Sequence, residues 1–114
     1  MKDRAFLDSN ILLYLFSEDE DDKSDACMSA LKKYSCITST QAINELCNVF
    51  TKKWKLSITD IIMAINDIKN SCSIQLVDLA VVERSLEIHK KWGYSYYDCL
   101  MLSSGIISDC KYIL

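Results

Sequence analysis

The 114-residue chain contains no proline, two glycines (Gly93 and Gly105) and a single histidine, His89. Two isolated glycines exclude a glycine-rich phosphate loop. There is no low-complexity segment and no internal repeat, so nothing marks a linker or a repeat array. A lone histidine in Glu87-Ile88-His89-Lys90 supports no Ser-His-Asp or Cys-His arrangement and reads as a surface residue. The six cysteines, Cys27, Cys36, Cys47, Cys72, Cys99 and Cys110, form no CxxC pair, and His89 lies near none of them. A zinc site or a disulfide framework needs tighter spacing or a secretory context. The thiols are expected to be free, buried and reduced. No stretch approaches the roughly 18 apolar residues of a membrane span, and Met1-Lys2-Asp3-Arg4 opens no signal segment. The expectation is a cytoplasmic protein without a membrane partner.

The composition is that of an ordinary globular domain, half hydrophobic and a quarter charged. The length suits one core, so residues 1–114 are read as a single domain. Net charge is −3, yet five consecutive acids, Glu18-Asp19-Glu20-Asp21-Asp22, leave the rest of the chain at +2. Consecutive loop acids rarely converge on one ion, and EF-hand spacing is absent, so this run reads as a solvated loop leading into the next helix. The basic residues come as scattered pairs, Lys32-Lys33, Lys52-Lys53 and Lys90-Lys91, which neither demand nor exclude nucleic acid.

Short apolar runs alternate with longer periodic ones. Arg4–Asp8, Cys36–Thr38, Ser73–Val77 and Cys110–Leu114 read as strands. Helices are predicted over Ile11–Phe16, Lys23–Tyr34, Ser39–Lys55, Ser57–Asn70, Leu79–Trp92 and Ser95–Ser108. Asp78 caps the fifth of these and Gly93 ends it. Four strands separated by helices imply an α/β fold, a parallel sheet covered on both faces. The last strand is read as a core strand on which the chain stops.

Three acids stand out. Asp8 ends the first strand just before a helix, at the sheet edge where open α/β folds build sites, although an acid there also serves as a helix cap. Glu45 borders an apolar stripe between Ala42 and Val49 on one side and Gln41 and Asn48 on the other, with no Lys or Arg three or four residues away. Asp98 closes a capping box, Ser95-x-x-Asp98, in a helix start expected to be half-buried; Ser57-x-x-Asp60 is the same pattern with no functional claim attached. Three carboxylates converging from separate elements would form a hard oxygen site suited to Mg²⁺ or Mn²⁺.

The segments Phe6-Leu7-Asp8-Ser9-Asn10-Ile11-Leu12, Ser39-Thr40-Gln41-Ala42-Ile43-Asn44-Glu45-Leu46 and Tyr94-Ser95-Tyr96-Tyr97-Asp98-Cys99-Leu100 together resemble the PIN-domain family, and more narrowly its VapC-like toxin ribonucleases. The similarity runs from Arg4 to Leu114 in order and spacing. It implies a three-layer α/β/α sandwich around a central parallel sheet of about four strands. It also implies a divalent-metal-dependent endoribonuclease, the toxin of a type II toxin–antitoxin system. Asp8, Glu45 and Asp98 match the acids that hold Mg²⁺ or Mn²⁺ in that family and are the expected catalytic and metal residues. An RNA substrate, an antitoxin protein and a homodimer are the implied partners. Family members carry a fourth acid just after the strand matching Cys110–Leu114, then a further helix and an edge strand. On that comparison the chain lacks its last helix and edge strand, Asp109 lies at the wrong end of the strand to replace the acid, and the sequence describes either a truncated chain or a weakened enzyme.

In this reading Ser9, Asn10 and Ser95 either orient the carboxylates or cap helices; Lys52, Lys53 and Lys55 with Trp54 either touch the RNA backbone or, the favoured reading, are solvated lysines around a core Trp54. The alternative is a PIN-like scaffold that binds an antitoxin-like peptide and cuts nothing. A phosphoacceptor receiver domain is disfavoured, because Asp8 has no acidic neighbour within Phe6–Ile11.

Overall fold

The first strand, β1 (Arg4–Phe6), ends three residues before helix α1 (Ser9–Phe16) begins. The computed structural model describes residues 1–17 and 21–114, the side chain of Asp21 excepted. The loop expected over the acidic run lies outside the described residues as far as residue 20, and Asp21 and Asp22 open helix α2 (Asp21–Lys33) rather than extend a loop. Strand β2 (Ser35–Ser39) and helices α3 (Thr40–Lys52) and α4 (Ile58–Ser71) follow. Strand β3 (Ser73–Gln75), helices α5 (Leu79–Trp92) and α6 (Tyr96–Ile107), and strand β4 (Tyr112–Ile113) complete the order.

The strands form one parallel sheet in the order β3-β2-β1-β4. All four strands and six helices fall where sequence patterning put them, with β1, β3 and β4 shorter than expected and β2 one residue longer at each end. Parallel strands need crossovers, which the helices supply, and the helices cover both faces. Alternation along β1 divides the faces. Leu7, just past the strand, joins Cys36, Leu46, Phe50 and Ile68 in a cluster closed by α1, α3 and α4. Phe6 points the other way, towards α6: a Cβ added at Gly105 would lie 3.6 Å from its Cβ. Leu12, Leu46 and Phe50 are fully buried, each contributing about 1.5–3 kcal/mol.

β4 departs from the expectation of a core strand. It is an edge strand in this sheet, and Tyr112 and Ile113 are exposed. Its register sets Ile113 beside Phe6, and the Leu114 amide donates to the Phe6 carbonyl at 2.9 Å. Gly105 lets this strand come close, since a Cβ there would sit 3.2 Å from Ile113 Cδ1. Gly93 ends α5 with φ +73°, a left-handed turn that glycine adopts without strain.

The cysteines are free, four of them buried and Cys47 and Cys110 half-buried. Burial pushes the Cys72 thiol up to about 12, with the nearby Cys36 adding to the shift. Such thiols are poor nucleophiles. Trp54 packs against the core beside Phe50, as expected, while Lys52, Lys53 and Lys55 are exposed. His89 is exposed and its Nδ1 contacts the Tyr94 carbonyl at 2.6 Å.

Candidate active site

The chain leaves β1 in one direction to form β2 and β3, then returns to place β4 on the other side of β1. The winding therefore reverses at the C-terminal end of β1, the position at which open α/β sheets bind ligands, and Asp8 stands there. Asp8 is the N-cap of α1, but an unusual one. Ser39, Ser57, Asp78 and Ser95 each accept from the backbone amide three residues on, as N-caps normally do. The Asp8 carboxylate instead accepts from its immediate neighbour, the Ser9 amide, at 2.6 Å. Capping by the third amide along does not account for its orientation.

Ser9 is buried, and its hydroxyl reaches across to α3 to donate to Glu45 Oε2 at 2.6 Å. The same oxygen lies 3.4 Å from Asp8 Oδ1. A hydroxyl has one proton, and the shorter distance shows that Glu45 receives it. Ser9 thus holds two carboxylates from distant parts of the chain on either side of one hydroxyl. Gln41, one helical turn before Glu45, donates through Nε2 to Glu45 Oε1 at 3.0 Å and to the Tyr97 carbonyl at 3.3 Å. Glu45 is held through both oxygens, and α3 is tied to the start of α6. Gln41 Oε1 is buried and has no hydrogen-bond partner among the described residues, so an acceptor is left open beside Glu45.

Asp98 lies one residue beyond the Tyr97 carbonyl. The Ser95 hydroxyl accepts from the Asp98 amide at 3.3 Å, forming one half of the expected capping box. The reciprocal bond is absent: among the described residues the Asp98 carboxylate makes no hydrogen bond. Ser57 and Asp60 behave in the same way, with only the amide bond formed, at 3.1 Å. The start of α6 is more open than expected. Asp98 is exposed and Tyr97 retains 67% of its surface, although Cys99 and Leu100 behind them are buried.

The three acids are not equally gathered. Asp8 and Glu45 meet through Ser9, whereas Asp98 reaches the pair only through Tyr97 and Gln41. Among the described residues no three Asp, Glu, His or Cys side chains are close enough to form a ready-made metal cage. The donor chemistry nevertheless suits a hard divalent cation, with acidic oxygens at one sheet edge. Of the ion pairs among the described residues, Arg84–Glu87 and Lys111–Asp3 engage none of the three. Asp109 is exposed, in a left-handed turn before β4 at the opposite end of the sheet from Asp8. Asn10 is exposed on α1 with no described side-chain bond.

Beside Glu45 lies an open groove of about 550 Å³, lined by Thr40, Gln41, Asn44, Asn48, Val77 and Tyr97. Sequence reasoning did not single it out. Its only sequence signal is a row of uncharged amides on α3, Gln41, Asn44 and Asn48, where helix-favouring charged residues would be expected on a solvent face. No helix among the described residues is long and apolar enough to cross a membrane.

Residues 5–113 match the family described as PIN domain. No curated protein matches the sequence. Among solved structures, the chain is similar to the Mycobacterium tuberculosis toxin VapC20, described as cleaving the sarcin-ricin loop. There the TM-score is 0.73 at 13% identity, over 96% of this chain and 86% of that one. A toxin–antitoxin complex from Klebsiella pneumoniae gives a TM-score of 0.72 at 19% identity, covering 96% and 84%. VapBC2 from Rickettsia felis, bound to a fragment of its promoter DNA, gives 0.70 at 15% identity, covering 97% and 86%.

Proposed function

Because the chain belongs to the PIN-domain family, we propose that it is a divalent-metal-dependent endoribonuclease, the toxin of a type II toxin–antitoxin pair acting in the cytoplasm. The observation that carries this reading is the Asp8–Ser9–Glu45 arrangement at the switch point of the sheet. The buried Ser9 hydroxyl donates to Glu45 and lies 3.4 Å from Asp8, so two acids stand close together at a cost in mutual repulsion. That cost has a use if a cation is to be held there.

In the proposed mechanism Asp8, Glu45 and Asp98 hold Mg²⁺ or Mn²⁺. When bound, the ion supplies Lewis acidity, acidifying water and offsetting charge on the phosphoryl oxygens. The protein's own groups do the rest. Ser9 and Gln41 fix the Glu45 carboxylate through both oxygens, so it need not be ordered when substrate arrives. Glu45 or Asp98 orients the water that attacks phosphorus and accepts its proton, while solvent protonates the ribose oxygen as its bond to phosphorus breaks. The similarity to a structure described as a toxin–antitoxin complex, and to VapBC2 bound to promoter DNA, supports an antitoxin as partner. A homodimer is part of the same proposal.

The test is cleavage of single-stranded RNA in Mn²⁺ by the wild-type protein and by Asp8→Asn. Loss of at least a hundredfold is expected; equal cleavage by both would place the activity elsewhere. A second reading, a PIN-like scaffold without catalysis, is favoured by one observation, the separation of Asp98 from the other two acids. It predicts no cleavage by the wild-type protein at any metal concentration.

A further inference from the structure

The groove beside Glu45 contains a surface that metal binding does not use. On one side stands Tyr97, two-thirds exposed at the start of α6, its ring edge-on to Tyr96 with centroids 5.7 Å apart. On the other, Asn44 and Asn48 are exposed one helical turn apart on α3, and neither side chain makes a hydrogen bond among the described residues. The two walls are fixed relative to each other. Gln41 Nε2 ties α3 to the Tyr97 carbonyl, and Thr40 Oγ1 accepts from the Val77 amide at 3.0 Å, tying the start of α3 to the segment after β3. Neither tie uses the Asn44 or Asn48 amide or the Tyr97 ring.

We propose that this groove is a subsite for one unpaired nucleobase of RNA, stacked on Tyr97 and read along its edge by the Asn44 and Asn48 amides. An exposed aromatic face is the usual platform for a splayed base, and it tolerates any base. A side-chain amide carries both a donor and an acceptor, so it can pair with a base edge and discriminate between bases. Among the described residues no Lys or Arg lines the groove, whose lining suits a base better than a phosphate. The groove's volume of about 550 Å³ falls within the range of small-molecule sites. Glu45 lies on its wall, which puts the bound nucleotide next to the carboxylates. The subsite rests on the ribonuclease reading for its placement next to the cut, but its binding is measurable without cleavage.

The experiment uses the full chain and fluorescein-labelled single-stranded RNA homopolymers, read by anisotropy without added metal and at fixed salt. Tyr97→Ala is expected to weaken binding about tenfold, while Tyr97→Phe, which keeps the ring, stays within about twofold. Asn48→Ala and Asn44→Ala are expected to alter the ranking among the four homopolymers more than the mean affinity. Thermal unfolding of each variant checks the fold, and Tyr97 is exposed enough for its midpoint to hold. Equal binding by Tyr97→Ala and the wild type overturns the subsite, as does a wild type that binds no RNA. Cleavage separates the two readings. Wild-type cleavage with unaltered binding by Tyr97→Ala leaves the nuclease standing and removes the subsite. Ring-dependent binding with no wild-type cleavage keeps the subsite and removes the nuclease.

Discussion

The Ser9 hydroxyl donates to Glu45 Oε2 at 2.6 Å, joining the first turn of α1 to the middle of α3 across 36 positions of sequence. Ser9 is buried and Glu45 exposed, so the bond ties a solvent-facing carboxylate to a buried support. Ser9→Ala should cost about 1 kcal/mol in urea denaturation, the net value of one such bond. If Ser9 also prepares the metal site, the Mn²⁺ concentration giving half-maximal cleavage should rise several-fold. A purely structural serine would leave that concentration unchanged.

Carboxylates crowded without a cation repel each other, and a bound cation relieves the repulsion. Mg²⁺ or Mn²⁺ at tenfold excess over its Kd should therefore stabilise the wild-type protein by about 1.4 kcal/mol. The same addition should do nothing for Asp8→Asn. Calorimetry with and without metal measures both. A wild type that shows no shift at millimolar metal favours the non-catalytic scaffold.

Asp98 distinguishes a helix-capping role from a chemical one. Its amide is bonded by Ser95, but its carboxylate has no described partner. Asp98→Asn should leave stability within about 0.5 kcal/mol, as at an ordinary exposed site. Cleavage should nevertheless fall about a hundredfold. A clear loss of stability together with only a small loss of cleavage would assign the carboxylate to the helix start instead.

Cys72 predicts how stability depends on pH. In the folded chain burial raises its thiol from the usual 9.0 to about 12, so between those values the unfolded chain releases a proton that the folded one keeps. The unfolded state then binds fewer protons, and stability must fall as pH rises. The contribution is complete below pH 9 and lost towards pH 12, at up to about 1.4 kcal/mol per pH unit for one thiol. Burial raises Cys27, Cys36, Cys47 and Cys110 as well, in the same direction. The urea midpoint should drop between pH 8 and pH 10.5, and the drop should be shallower in Cys72→Ala relative to its own value at pH 8.

Much of the architecture was legible in local chemistry. Ser39, Ser57, Asp78 and Ser95 mark helix starts because a short oxygen side chain satisfies an orphan amide wherever it occurs. Gly93 marks a helix end for an equally local reason. The apolar pattern runs on to Asp8 and Val77, beyond strands that end at Phe6 and Gln75, because apolar residues continue past the regular ladder. The half-buried start expected for α6 was wrong, because two adjacent tyrosines do not reveal which one faces outwards. Tyr96 is partly covered and Tyr97 is not.

By itself, then, the sequence determined the alternation of strands and helices, the free thiols and the three candidate acids at Asp8, Glu45 and Asp98. Each of these depends on residue type and on spacing within a few positions. Only the tertiary structure decided that β4 lies across β1 from β2, which makes the end of β1 a switch point. It also decided that Ser9 gives its one proton to Glu45, and that Asn44, Asn48 and Tyr97 face one groove. Those relationships join residues tens of positions apart, and no local pattern carries them. Asp8 illustrates the difference: in sequence it is an acid before a helix, as any cap would be. In the fold, bonding to the neighbouring amide rather than the third one leaves its carboxylate at the switch point beside Glu45.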